Sequence, residues 1–246
     1  MKTSRQIAER LQEVQRHAAK LPEPDAVHRM RVATRRLRAS LRLLRLRGLE
    51  PGVKELQDAL GEVRDLQLQV DWLGKRDAAL TRQRKARLRR AERALAAALR
   101  SWNGRAMPAL LEAGAQATAL RRKRARKVVR KSLGRLEERL ERARSKPAPR
   151  SLHRARIAVK QARYLIEMGE DRLPAALPRL LADLKALQAS LGQLHDVDVR
   201  IGLVKGRPLL LREQREERRQ LGKIVAAQLE RWDEQKVAPR ALKHLS

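Results

Sequence analysis

Cysteine and phenylalanine are absent from this chain of 246 residues, and aromatic residues make up only 2% of it. Without cysteine there is no disulfide framework, no thiolate-bound zinc and no thiol chemistry. No apolar run of 18 residues occurs, and the N-terminus lacks an apolar signal segment. We therefore expect a soluble, cytoplasmic protein that does not bind membranes. The few aromatic residues are too scattered to form a base-stacking platform, and we expect them in the core.

Acidic residues are scarce relative to basic ones. Lysine and arginine number 59 against 28 aspartates and glutamates, which gives a net charge of +31 at pH 7. Such a charge repels itself unless an anionic partner offsets it. Apolar residues make up 42% and recur at regular spacing, which indicates long helices rather than disorder. The composition predicts an all-α protein with an anionic partner.

The spacing of apolar residues predicts four helices in each half of the chain. These helices are expected at residues 4–20, 25–47, 50–73 and 77–102, and again at 117–145, 150–170, 176–204 and 208–236. Residues 103–116 are predicted to link two helical repeats, about 4–102 and 117–236, within a single domain that spans residues 1–246.

The two halves also align residue by residue, which indicates a tandem duplication. Residues 22–38 align without gaps on 147–163 and share both prolines, a histidine and three arginines. Residues 56–70 align equally well on 187–201. A duplicated four-helix unit packs most simply as two four-helix bundles related by pseudo-two-fold symmetry, with equivalent helices facing each other.

A stripe of basic residues runs along one side of the second predicted helix, within an arc of about 80°. Residues 28–47 contain eight arginines and no acid. The stripe consists of His28, Arg31, Arg35, Arg38 and Arg42. The sixth predicted helix repeats it as His153, Arg156, Lys160 and Arg163, and then has Glu167 in place of Arg42. This difference predicts that the first half binds an anion more strongly than the second.

Two such stripes that face each other would form a basic central pore or groove. Arginine holds phosphate oxygens with a planar fork of donors, and lysine adds a mobile point charge. A basic helix face is often only solvated, but the repetition of the spacing favours a binding role. For each histidine, capping or packing of the helix start is an equally good interpretation.

Other repeated residues are predicted to support the basic helices. Gly61 and Gly192 lie inside helices, where they would permit close helix approach. Asp65 and Asp196 would orient the basic helices through ion pairs or caps. The basic runs at 82–90 and 121–131 are consistent with solvated helix faces that widen a polyanion footprint. We find no glycine-rich phosphate loop and no repeated acidic cluster for a metal. We therefore expect neither catalysis nor a cofactor.

The motifs VHRMRVATRRLR and LGEVRDLQL in the first half, and LHRARIAVKQARYLIEM and LGQLHDVDV in the second, resemble those of the conserved histidine α-helical domain, or CHAD, family. The resemblance covers roughly residues 4–235. It implies two four-helix bundles around a basic pore that binds inorganic polyphosphate. By motif position, the implied binding residues are His28, Arg31, Arg35 and Arg38 with His153, Arg156, Lys160 and Arg163. CHAD domains are often fused to a CYTH triphosphatase domain, and its Glu-x-Glu-x-Lys strand does not occur here.

Our leading expectation is a non-enzymatic protein that binds polyphosphate, in the cytoplasm and at polyphosphate granules. The alternative is a sequence-independent nucleic-acid or nucleoid protein, since contacts to backbone phosphates would also explain the charge. A phosphohydrolase is a third interpretation, but it lacks an acidic metal site.

Overall fold

The fold is all-α, as the sequence predicts. The computed structural model describes residues 2–116 and 120–245, and these residues form helices and turns but no strand. The helices divide between two compact units, unit 1 (Met1–Leu120) and unit 2 (Arg121–Ser246). Within the described ranges, no helix is both long and apolar enough to cross a membrane.

Unit 1 is a helical bundle in which α3 is central. Its helices are α1 (Lys2–Gln15), α2 (Pro24–Leu43), α3 (Glu50–Leu73), α4 (Ala78–Ser101) and α5 (Met107–Gln116). Helix α3 packs against both α2 and α4, while α1 packs against α2 and α5. Because α2 and α4 flank the same helix, side chains on their outer faces can line a common groove along α3.

The core of unit 1 comes from apolar residues at helical spacing on each helix. Ile7, Leu11 and Val14 of α1 are buried together with Met30 and Leu37 of α2. Helix α3 adds Val53, Leu56, Leu60 and Val63, the positions that its sequence pattern predicts. Because these apolar faces are buried, the polar and charged faces of α2, α3 and α4 point toward solvent.

Unit 2 is a second helical bundle with its own core. Its helices are α6 (Arg122–Ser145), α7 (Pro149–Gly169), α8 (Leu180–Leu203), α9 (Pro208–Glu234) and α10 (Val237–Lys243). Helices α6, α7, α8 and α9 form a closed ring of contacts, and α10 packs against α6 and α9. Leu133, Val159, Leu191 and Leu229 are among its buried residues.

Three of the four large aromatic residues are in the cores, as predicted. Trp102 is buried in unit 1, and Tyr164 and Trp232 are buried in unit 2. Trp72 differs, because it is only half-buried and the guanidinium of Arg76 lies 5.5 Å from its ring. Its indole face therefore serves a cation–π contact rather than core packing.

The linker predicted at 103–116 is wrong, because these residues are helical. A π-helical turn, Trp102–Ala106, continues α4 directly into α5. Trp102 and Leu110 are both buried in the unit 1 core, so burial holds this segment in a helix despite its glycines. The helix start predicted at 117 falls on residues 117–119, which lie outside the described residues, and α6 begins at Arg122.

Helix ends differ from the prediction where the chain turns without glycine. Helix α2 ends at Leu43 rather than at 47, because Arg45 takes a left-handed conformation with φ 67°. The Leu46 N–H then donates to the carbonyl of Leu41 at 2.9 Å, a helix-ending bond that usually accompanies glycine. Helix α1 similarly ends at Gln15 rather than at 20.

The end of the second repeat also differs from the prediction. The helix expected at 208–236 ends at Glu234, and the short helix α10 follows it. Lys236 separates the two helices in a left-handed conformation with φ 47°. A lysine at such a position leaves no signal in the sequence, because glycine is the residue that usually marks it.

Candidate functional site

A groove of about 800 Å³ runs along α3 in unit 1. Its walls carry five arginines, and its floor carries three carboxylates and a glycine. Helix α2 contributes Arg31 and Arg35, helix α4 contributes Arg84, Arg87 and Arg90, and helix α3 contributes Asp58, Gly61, Glu62 and Asp65. The groove therefore presents guanidinium groups from two different helices to the same space, with a net positive charge.

The arginines of the unit 1 stripe differ in their acidic partners. Arg31 Nη1 lies 3.3 Å from Asp65 Oδ1, which confirms the predicted pairing of Asp65. Arg38 and Arg42 both contact the same Glu50 carboxylate, at 3.3 and 3.0 Å. Among the described residues, Arg35 has no carboxylate within 4.0 Å. Thus α3 supplies acids that α2 lacks from His28 onward, and Arg35 retains an uncompensated charge.

His28 lies near the start of α2 but does not cap it, because the N-cap residue is Glu23. Partial burial lowers the pKa of His28, and the nearby Arg64, Arg31 and Arg35 lower it further, whereas Asp25 raises it. The imidazole is therefore neutral at pH 7 in the free protein and can donate one hydrogen bond.

The unit 2 stripe places its histidine beside a second histidine. The ring centroids of His153 on α7 and His195 on α8 are 4.8 Å apart. Burial and the charges of Arg156 and Lys160 lower the pKa of His153, and its Nδ1 has no hydrogen-bond partner among the described residues. The N-cap of α7 is Ala148, so the capping interpretation is wrong for this histidine as well.

Arg163, the last member of the unit 2 stripe, is partly neutralised. Its Nη1 lies 3.3 Å from Oε1 of Glu167, and its guanidinium stacks 4.4 Å from the ring of Tyr164. Glu167, which the sequence aligns with Arg42, therefore reduces the charge at this end of α7. In unit 1 the charge of Arg42 is likewise partly neutralised, because the carboxylate of Glu50 contacts it.

Arg84, Arg87 and Arg90 belong to the basic run 82–90, for which the sequence predicts no specific role, and the structure places them in the groove. Their spacing of three residues places them along one side of α4, and this spacing was a usable signal within the basic run 82–90. The other cations of the run, Arg82 and Lys85 among them, are exposed but do not line the groove.

The predicted role of the two helical glycines is wrong. Among the described residues, no heavy atom outside the local helix backbone lies within 4 Å of a Cβ built at Gly61 or at Gly192, so neither glycine is required for close helix approach. Gly61 lines the groove, where the lack of a side chain keeps the floor open.

The CHAD domain family matches residues 5–205 of this chain. The chain belongs to the CHAD family. The crystal structure of the CHAD domain from the plant Ricinus communis aligns with a TM-score of 0.67 and 22% identity, over 91% of this chain and 89% of that chain. No curated protein matches the sequence.

The comparisons confirm the predicted family and the all-helical fold of this CHAD chain. CHAD domains are associated in general with polyphosphate-related binding. At 22% identity the Ricinus structure supports the fold alone. The nine residues of the two stripes remain predictions as binding residues of this CHAD protein, and the contacts described above distinguish among them.

Proposed function

We propose that this CHAD protein binds inorganic polyphosphate and does not hydrolyse it. The observation that carries the proposal is the unit 1 groove, with five arginines against three carboxylates. Arg35 on one wall has no acidic partner within 4.0 Å among the described residues. A basic cluster that its own protein leaves partly uncompensated is favourable only with an anion from outside.

A phosphate polymer matches the chemistry and the spacing of the stripes. Successive turns of a helix lie about 5.4 Å apart, so α2 offers a cation to the polymer at every turn. Guanidinium groups bind phosphate oxygens bidentately. In unit 2, His153, Arg156, Lys160 and Arg163 lie at the matching positions of α7, and they provide a second set of contacts.

The route and the cellular setting are part of the same proposal. The family resemblance and the duplicated stripes favour the basic stripes of α2 and α7 as the route of the polymer. Association with polyphosphate granules in the cytoplasm follows if the protein holds long chains. Both statements depend on polyphosphate being the ligand, which is the first point to test.

Equilibrium binding to long-chain polyphosphate in about 0.15 M salt tests the proposal. Substitution of Arg31, Arg35, Arg156 and Lys160 by Gln should weaken binding by about 200-fold, since counterion release contributes about fourfold per phosphate contact at this salt concentration. Arg29, Arg47, Arg150 and Arg154, four cations outside the stripes, form the matched control, and their replacement should cost less than about threefold. Micromolar affinity that neither set changes would rule out the proposal.

Nucleic acid is the second candidate ligand. The start of α6 carries exposed cations at Arg121, Arg122 and Lys123, and such a surface would attract any polyanion. Duplex DNA is too rigid to follow a narrow groove, whereas a polyphosphate chain is flexible. Competition between the two at equal phosphate concentration distinguishes them, and a preference for DNA would reverse the ranking.

The absence of turnover is proposed separately from binding. We expect no phosphate release when the protein is incubated with polyphosphate and Mg²⁺ or Mn²⁺. Release that scales with protein concentration and is lost in the Arg31, Arg35, Arg156 and Lys160 variant would overturn the non-enzymatic assignment.

A further inference from the structure

Helix α4 carries a row of three arginines that faces the groove of unit 1. Arg84, Arg87 and Arg90 all line the groove, and successive members are separated by a rise of about 4.5 Å along the helix. They lie on the wall opposite Arg31 and Arg35, with α3 between the two walls. The row belongs to neither of the duplicated stripes.

The α4 row has no acidic partner in the described part of the chain. None of its three guanidinium groups lies within 4.0 Å of a carboxylate there. Two of the groove carboxylates already have partners, because Asp58 contacts Lys54 and Asp65 contacts Arg31. The row is therefore a set of like charges spaced three residues apart, an arrangement that destabilises an isolated helix.

Arg84 is the most enclosed member of the row. It is half-buried, and its Nε is buried without a hydrogen-bond partner among the described residues. Partial burial, together with the charge of Arg87, lowers the pKa of Arg84. A guanidinium that is partly withdrawn from water and lacks a counter-charge gains most from a bound anion.

We propose that Arg84, Arg87 and Arg90 bind phosphates along a polyphosphate chain that lies in the unit 1 groove between α2 and α4. The inference rests on the proposed function and adds to it a second wall of contacts. Arg35 on α2 would grip the same stretch of polymer from the opposite side. Phosphate groups are the ligand class, because paired guanidinium forks match their oxygens.

Unit 2 lacks an equivalent of the complete row. Continuing the alignment of α3 on α8 places Arg215, Arg218 and Leu221 of α9 at the three positions. Arg218 already donates to Asp198 Oδ1 through its Nε at 2.6 Å, and Leu221 carries no charge. The row is thus a feature of unit 1 alone, and it gives the two halves different affinities for phosphate.

Two triple variants of the full chain test the inference. One replaces Arg84, Arg87 and Arg90 with Gln, and the control replaces Arg82, Lys85 and Arg89, which belong to the same helix but do not line the groove. Both variants lose the same charge, and Gln keeps the helix propensity of Arg. Polyphosphate affinity at about 0.15 M salt should fall about 50-fold in the first and less than about threefold in the second.

The salt dependence and a charge-conserving variant sharpen the test. The slope of log affinity against log salt should fall by about two in the groove variant, since three phosphate contacts are lost. Replacement of the same three arginines by Lys should restore the salt slope, because point charges still bind phosphate, but affinity should stay below that of the wild type, because the bidentate fork is lost. A lysine variant whose salt slope stays as low as that of the glutamine variant would overturn the inference.

The outcomes separate the inference from the proposed function. If the wild type binds polyphosphate and the two Gln variants weaken equally, only overall charge matters, and the α4 row is not a binding site. If the wild type itself does not bind polyphosphate, the proposed function fails, and this inference fails with it. Equal melting temperatures for the two variants exclude misfolding as the cause of a difference.

Discussion

Arg38 and Arg42 illustrate how one carboxylate alters the role of a basic residue. Both contact Glu50, whose side chain is only 15% exposed, whereas Arg35 has no such partner among the described residues. An arginine that is engaged in an ion pair must share its donors between the acid and a ligand. Residues of one stripe are therefore not equivalent binding groups.

Replacement of Glu50 by Gln should lower stability and strengthen polyphosphate binding. We expect the free energy of unfolding to fall by about 1 to 2 kcal/mol, because charged hydrogen bonds to Arg38 and Arg42 are lost. Affinity should rise about fourfold as the two arginines are released. Glu62→Gln is the control, since Glu62 lines the groove with no basic partner within 4.0 Å in the described chain. Urea denaturation that shows equal stability for both variants would contradict this view of Glu50.

Because of the two stripe histidines, we expect the stability of the free protein and its affinity for polyphosphate to change with pH in opposite directions. Burial and nearby cations hold the pKa of His28 and His153 below the ordinary value of 6.5. Below pH 6.5 the unfolded chain therefore takes up more protons than the folded one, and the stability of the free protein falls as pH falls. A bound polyanion raises both pKa values, so affinity should increase as pH falls.

Binding measured from pH 8 to 5.5 checks this prediction. We expect wild-type affinity to rise about tenfold over this range as two imidazolium charges develop. The double variant His28→Gln, His153→Gln should lose most of that increase in affinity. This loss distinguishes an effect of the two histidines from an effect of titrating the phosphates of the ligand. A pH profile that the double variant leaves unchanged would show that neither histidine contacts the polymer. His195, which contacts His153, supplies a third variant to compare.

At the scale of a helix, α3 has an unfilled position on its groove face. Gly61 costs helix stability relative to alanine, and in the described part of the chain no atom beyond the local helix backbone lies within 4 Å of an added Cβ. The glycine is therefore not explained by packing. An open floor between the two arginine walls explains it, because a larger side chain would occupy the groove.

Substitutions at Gly61 should separate stability from binding. Gly61→Ala should raise the free energy of unfolding by about 1 kcal/mol with little change in affinity. Gly61→Leu should also keep the helix stable but weaken polyphosphate binding about tenfold, since its side chain fills part of the groove. Gly134→Leu in α6, another position with open space, is the control. Equal affinity of the two leucine variants would rule out a role for the groove floor.

At the scale of the whole molecule, the charge of +31 affects stability and binding in opposite directions. Self-repulsion destabilises the compact state and is screened by salt. Raising NaCl from about 0.02 to 0.3 M should therefore raise the melting temperature by about 3 °C. The same change should weaken polyphosphate binding by more than about 10⁵-fold through counterion release, since the proposed contacts together give a slope of about five in log affinity against log salt. A melting temperature that falls with added NaCl would contradict this explanation.

The helical periodicity of the sequence predicts most of the fold. The bounds predicted for α3 are those observed, and α4 and α7 begin and end within one residue of the prediction. Errors arose where local pattern and tertiary burial disagree. The segment 103–116 looks like a linker by its glycines, yet burial of Trp102 and Leu110 makes it helical.

The sequence by itself determined the net charge, the all-α class, the family and the two basic stripes. These are properties of composition and of spacing along one helix, which any segment expresses locally. Only the tertiary structure decided that Glu50 contacts Arg38 and Arg42, and that Arg84 lines the same groove as Arg35. Such contacts depend on the rotation and axial offset of packed helices, and these are set by core side chains rather than by a local pattern.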